Sequence, residues 1–129
     1  MVNKRAYGRI CTNAKALVYI KNKEFVFYVK DISENGIAFI CEQPDAISEL
    51  IGPGDVISFA LFDRYELFHA EHEDTIIGSC KVIRLDNDGR RSGYKVLGCE
   101  LINPDRNLRK YVENKRTEVF MRCIISESK

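Results

Sequence analysis

Long apolar runs, closely paired cysteines and a strong net charge are all missing from this 129-residue chain. No window of about 18 apolar residues occurs, so we expect no helix that crosses a membrane. The five cysteines form no C-x-x-C pair, which argues against a zinc knuckle and against a thioredoxin-like redox site. The formal net charge is +1, so no overall field would attract a nucleic acid polymer.

Catalytic patterns are missing as well. Both histidines, His69 and His72, lie in one polar stretch, where no Ser-His-Asp or Cys-His set has a recognisable context. Their spacing would suit a metal on one helix face, but no further Cys or His lies nearby to complete a tetrahedral set. There is no glycine-rich phosphate loop. We therefore expect a protein that is not an enzyme and has no metal or cofactor.

The N-terminus and the cysteine count indicate the compartment. Residues 1–5 read MVNKR, without the apolar stretch of a signal peptide. An odd number of widely spaced cysteines suits free thiols in a reducing environment. We expect a cytoplasmic protein, and the length and the 45% apolar content predict a single domain over residues 1–129.

Apolar residues alternate with polar ones through the first hundred positions, which predicts strands. Turn-forming residues at Lys21–Glu24, Asp31–Gly36 and Gly52–Gly54 separate the runs, and one helical turn is expected near residues 45–50. The six expected strands cover about residues 14–20, 25–29, 37–41, 56–62, 76–85 and 94–102. This pattern predicts an all-β fold with a C-terminal helix, in which residues 13–102 form a small six-stranded antiparallel β-barrel.

The period changes to that of a helix after Ile102. Asn103 is expected to cap the helix, with Pro104 and Asp105 in its first turn, and the helix is expected to span residues 104–123. Its apolar stripe, which we expect to pack on the barrel, consists of Leu108, Tyr111, Val112, Val119 and Cys123. Its opposite, solvated face is expected to consist of Arg109, Lys110, Glu113, Lys115 and Arg116.

Two short motifs flank the first hairpin: R-x-x-x-R at Arg5–Arg9 and D-x-S-x-x-G at Asp31–Gly36. In this order, and followed by this β pattern, they resemble the PilZ domain family, whose members bind the second messenger cyclic di-GMP. The resemblance covers nearly the whole chain, including Gly98 and the terminal helix. It implies a PilZ-like split barrel with ligand-binding residues Arg5, Arg9, Asp31, Ser33 and Gly36.

The chemistry of these side chains suits that ligand. The arginine fork of Arg5 or Arg9 matches phosphate oxygens and the O6 and N7 acceptors of guanine. Asp31 accepts hydrogen bonds, as the N–H donors of guanine require, and Ser33 adds a small hydroxyl. Gly36 is expected to adopt a positive φ or to let a base approach closely.

The resemblance also implies a way of acting. Residues 1–12 are expected to form a mobile ligand-binding arm, which cyclic di-GMP folds over the barrel mouth, so that a downstream protein partner meets a changed surface. The controlled process would be motility or biofilm polysaccharide production. Lys4 stands where the family varies its ligand stoichiometry, so either one molecule or an intercalated pair fits the sequence.

Two other functions fit parts of the pattern. The chain could be a PilZ-like adaptor that binds protein without any ligand. It could also be a barrel that binds single-stranded nucleic acid, with a stacking platform made of Phe25, Phe27, Tyr28 and Phe39. The near-neutral charge argues against the nucleic acid, and the aromatic residues would more simply fill the barrel.

Overall fold

The structure is a computed structural model that describes residues 10–12, 14–42, 44–62, 76–87 and 93–127. These ranges contain seven strands and two helices. In chain order they are β1 (Ile10–Cys11), β2 (Lys15–Ile20), β3 (Lys23–Ile32), β4 (Gly36–Cys41), α1 (Pro44–Leu50), β5 (Val56–Phe62), β6 (Ile76–Asn87), β7 (Lys95–Ile102) and α2 (Arg106–Glu127).

Six of the strands close into an antiparallel barrel in the order β3-β2-β5-β6-β7-β4, and β4 pairs back to β3. Closure depends on the ten-residue strand β3, whose first half pairs with β2 and whose second half pairs with β4. A register shift between Val29 and Asp31 lets β3 bend from one neighbour to the other. The predicted six-stranded barrel with a C-terminal helix is therefore confirmed.

The barrel core contains the inward halves of the alternating strands, as the sequence pattern predicts. Three phenylalanine rings form its centre: Phe39 lies 5.9 Å from Phe27 and 5.7 Å from Phe59, measured between ring centroids. All three are buried, and each contributes about 1.5–3 kcal/mol by leaving water. Since Phe27 and Phe39 lie in the core, they cannot stack nucleotide bases. The proposed aromatic platform for nucleic acid is therefore wrong.

Turn lengths differ from the sequence-based expectation. The β2–β3 turn is only Lys21-Asn22, with φ values of 47° and 68°, so Lys23 and Glu24 belong to β3. A two-residue hairpin turn with positive φ at both positions matches the twist of the flanking strands, which explains why the strands extend so far. β3 likewise continues to Ile32, so Asp31 lies in a strand and the following loop is only residues 33–35. The sixth predicted strand begins at Lys95, one residue after Tyr94.

The two helices lie at opposite ends of the barrel. α1 follows the end of β4 and extends over seven residues, where one turn was expected, and it buries Ile47 beside Ile51. α2 follows the end of β7, packs against β1 and β6, and buries Leu108 and Val112 in the core. α2 therefore lies at the same end of the barrel as the β3–β4 loop.

The N-cap of α2 is Asp105, which corrects the expected cap at Asn103. The Asp105 carboxylate accepts a hydrogen bond from the N–H of Leu108 at 2.8 Å, and the helix begins at Arg106. Asn103 instead has a φ of 43° in the turn that leads out of β7. Asparagine tolerates this left-handed conformation better than most residues, so the turn uses Asn103 and leaves the cap to Asp105.

The expected position of Lys115 on the solvated face of α2 is also wrong, because Lys115 lies on the buried side of the helix. Its side chain forms an ion pair with Glu118, with Nζ and Oε1 3.6 Å apart, and both side chains are almost fully buried. The positions Leu108, Val112, Lys115 and Val119 follow helical spacing, so Lys115 falls on the apolar stripe.

None of the helices in the described ranges has both the length and the apolar character needed to cross a bilayer. Cys41, Cys80 and Cys99 are free thiols in the core, as expected for cysteines inside strands, whereas the free thiol of Cys11 is exposed.

Candidate functional site

The second motif forms the β3–β4 hairpin loop, which Ser33 organises. The N–H of Ser33 donates to the carbonyl of Gly36 at 2.8 Å. The Ser33 hydroxyl oxygen accepts hydrogen bonds from the N–H groups of Asn35 at 3.3 Å and of Gly36 at 3.1 Å. Side-chain capping of this kind fixes a short loop in one conformation. The loop is therefore held by the side chain of one of the predicted ligand-binding residues.

After these hydrogen bonds, the Ser33 hydroxyl can still act as a donor. A serine oxygen has two lone pairs and one O–H. Both lone pairs face backbone N–H groups of the loop, so the O–H is left to donate. Ser33 therefore suits an acceptor on a ligand, such as a phosphate oxygen or a base carbonyl, and its side chain is half-buried beside the loop.

Asp31 lies two residues before Ser33, on the outer side of β3. It is paired with Ala38 of β4 on one side and with Cys11 of β1 on the other. Its side chain is half-exposed, immediately after the irregularity at which β3 bends. A bulge of this kind changes the direction in which the following side chains point, and here Asp31 and Ser33 lie at the same edge of the barrel.

Gly36 permits close packing between strands, and its φ is not in the left-handed region, so the expected positive φ is wrong. A Cβ atom at this position would lie 3.1 Å from the carbonyl oxygen of Cys99 and 3.9 Å from the Ser33 hydroxyl oxygen. The close approach that the glycine permits is therefore that of strand β7.

The outer side of the loop is tied to the C-terminal part of the chain. The N–H of Leu101 donates to the carbonyl of Asn35 at 2.8 Å. Arg116 of α2 forms an ion pair with Glu34 at 2.6 Å between Nη2 and Oε1. Helical spacing predicted a solvated position for Arg116, and no local pattern predicted a role for Glu34. The tertiary contact joins positions 82 residues apart, which no local pattern indicates.

The remaining predicted site residues, Lys4, Arg5 and Arg9, lie outside the described residues, as do His69 and His72. Within the described ranges, no group of three or more His, Cys, Asp or Glu side chains could hold a metal ion.

The core thiols are held in the protonated form. Burial, with a smaller contribution from Cys99, raises the pKa of Cys41 from 9.0 to about 12. A side-chain hydrogen bond with Cys99, followed by burial, raises the pKa of Cys80. Because a thiol reacts as its thiolate, these two are inert at neutral pH.

Comparison with protein-family profiles matches residues 3–115 to the PilZ domain. This region includes both motifs, the whole barrel and the first half of α2. A comparison with curated protein sequences gives no match.

Solved structures with the same fold include three from different bacteria. The PilZ domain of YcgR from Escherichia coli, solved with c-di-GMP, has a TM-score of 0.63 and 12% identity, and the match covers 94% of this chain and 95% of that one. The Bacillus subtilis inhibitor of motility, MotI/DgrA, has a TM-score of 0.68 and 20% identity, covering 91% of this chain and 53% of that one.

The complex of MrkH from K. pneumonia with c-di-GMP has a TM-score of 0.64 and 12% identity, covering 92% of this chain and 53% of that one. This chain thus spans about half the length of the MotI and MrkH chains. At these identities the likeness establishes the fold.

Proposed function

Because the chain belongs to the PilZ domain family, we propose that it is a receptor for cyclic di-GMP that acts on a protein partner. The matched region contains R-x-x-x-R and D-x-S-x-x-G in the order and spacing of the family. Structures of YcgR and MrkH with the same fold were solved with c-di-GMP, which supports this choice of ligand.

The pairing of β1 with β3 is the observation that carries the proposal. Ile10 is paired with Ile32, and Cys11 with Asp31. Arg9 directly precedes Ile10 in the sequence, and Arg5 precedes it by five residues. The register of β1 with β3 therefore supports the proposal that the arginine motif and the Asp31–Ser33 edge share one ligand.

The geometry of the hairpin supports separate roles for its two polar side chains. Asp31 accepts hydrogen bonds, which suits the N–H donors on the Watson–Crick edge of guanine. Ser33 has only its O–H left to offer, which suits an oxygen acceptor. Arg5 and Arg9 supply the positive charge for the two phosphates. Gly36 lets the loop pack closely against β7, which supports the placement of Ser33 at the proposed ligand site.

The proposed output is an order transition of the N-terminal arm. The arm was expected to span residues 1–12, but Ile10 and Cys11 pair with β3, so the proposal concerns residues 1–9. Ligand would fold residues 1–9 over the hairpin and change the surface presented beside α2, which the Glu34–Arg116 ion pair joins to the same loop. The regulated process would be motility or biofilm polysaccharide production. The motility inhibitor from Bacillus subtilis, which has the same fold, supports the first of these.

Calorimetric titration of the purified chain with cyclic di-GMP tests the proposal. Wild type should bind, with one or two molecules per chain. Arg5→Ala, Arg9→Ala and Ser33→Ala should each weaken binding about ten- to a hundred-fold, because a hydrogen bond to a charged group contributes about 1.5–3 kcal/mol.

Ser58→Ala is the matched control, since Ser58 is an exposed serine on the outer face of β5 and should bind like wild type. Absence of heat with wild type would reject the receptor and favour the ligand-independent adaptor. Wild-type affinity in both arginine variants would reject the clamp.

A further inference from the structure

Four residues on the outside of the barrel form a line that crosses four strands. The register pairs Asp31 with Ala38, Ala38 with Gly98, and Gly98 with Arg84. Ala38 and Gly98 alternate with the core residues Phe39 and Leu97, so they face away from the core, although both are themselves buried in this structure. Paired residues share a face, so Asp31 and Arg84 also point outward. We refer to these four residues as the outer row.

The middle of the outer row is flat and apolar. Its two central residues, Ala38 and Gly98, are the smallest that a strand can present, and they are flanked by the half-buried residues Ile40 and Val96. Neighbouring strands lie about 4.8 Å apart, so the two ends of the row are about 14 Å apart. This distance is long enough for a flat base between an acceptor at one end and a cation at the other, once the side chains that cover Ala38 and Gly98 have shifted.

The Arg84 side chain lies over Gly98. A Cβ atom at position 98 would be 3.3 Å from both Cγ and Nε of Arg84, so a larger residue would displace the arginine. Nε of Arg84 is also 3.1 Å from Oδ2 of Asp86, in an ion pair whose side chains are about half-exposed. An exposed pair of this kind contributes little to stability, so the arginine can exchange Asp86 for another acceptor.

We propose that Arg84 is a further ligand-binding residue, whose guanidinium binds the O6 and N7 edge of a guanine lying on Ala38 and Gly98. The inference rests on the proposed binding of cyclic di-GMP. Arginine is well suited to this edge because its two parallel donors match the two acceptors. Asp31, at the other end of the outer row, can then accept from the Watson–Crick edge of the same base.

Titration with cyclic di-GMP should show that Arg84→Ala weakens binding about ten- to a hundred-fold. Arg84→Lys should restore little of this, because lysine has the charge but not the fork. Gly98→Ala should also weaken binding, because the new methyl group meets the base that lies on Gly98 and presses on the Arg84 side chain. Arg109→Ala is the control, since it removes an exposed arginine on α2 and should leave the affinity unchanged.

An analogue of the dinucleotide with 7-deazaguanine isolates the contact. It lacks the N7 acceptor, so wild type should bind it more weakly, whereas Arg84→Ala should bind both ligands equally. Wild-type affinity in Arg84→Ala, or full recovery in Arg84→Lys, would overturn the inference while the receptor function stands. Failure of wild type to bind cyclic di-GMP would reject the function itself and the inference with it.

Discussion

Single residues in the core show how burial controls chemistry in this protein. Cys41 and Cys80 occupy inward strand positions where any small apolar residue would fit, and burial or a neighbouring thiol keeps each protonated. Cys41 and Cys80 therefore behave as hydrophobic residues, and their ionisation would destabilise the folded state.

Raising the pH above 9 should destabilise the protein through Cys41. The folded state holds this thiol at a pKa of about 12, whereas the unfolded chain releases the proton near 9.0. Between these values the unfolded state binds fewer protons, so the free energy of unfolding falls as the pH rises. Urea titrations from pH 8 to 11 should show a steeper fall for wild type than for Cys41→Ala. Equal slopes would contradict the prediction.

The residues of the loop illustrate what sequence can and cannot predict at this scale. D-x-S-x-x-G identified Asp31, Ser33 and Gly36 together, because the motif is local. The packing role of Gly36 could not be predicted from the sequence, because the Cys99 carbonyl that leaves little room for a side chain belongs to another strand. Lys115 was misplaced although its helical spacing was visible, because a lysine is so rarely buried.

Among the secondary-structure elements, the strands were predictable from alternation, but their ends were not. A two-residue turn and a bulge decide where β2, β3 and β4 begin and end, and both depend on pairing between strands. β1 was missed because two residues are too few to show a period. It nevertheless pairs with Asp31 and Ile32, so the shortest strand supports the proposal that the first motif acts together with the second.

Asp105 should stabilise the first turn of the C-terminal helix. Its carboxylate accepts the N–H of Leu108, a residue buried in the core, so the cap also fixes the docking of α2. Replacing such a cap by alanine costs about 1 kcal/mol. Urea denaturation should show a loss of this size for Asp105→Ala. Asp105→Asn should lose little, because asparagine caps equally well. An equal loss in both variants would contradict the prediction.

For the molecule as a whole, the barrel is a rigid framework. The proposed ligand contacts both the β3–β4 hairpin and the N-terminal arm. The core extends from β1 to α2 and includes Ile47 of α1. The hairpin of β3 and β4 is tied to β7 and α2 before any ligand arrives. Binding should therefore leave the barrel unchanged, and its effect on the protein should depend on residues 1–9.

Deleting residues 1–9 should separate folding from binding. The variant keeps β1 and the described core, so its melting temperature should stay within a few degrees of wild type. Ligand at a hundred times its Kd stabilises a receptor by about 2.7 kcal/mol, which should raise the melting temperature of wild type by roughly 10 °C. The deletion should abolish this increase because Arg5 and Arg9 are gone. If the deleted chain retained the full increase, the barrel alone would bind the ligand, and the arm would have no part in recognition.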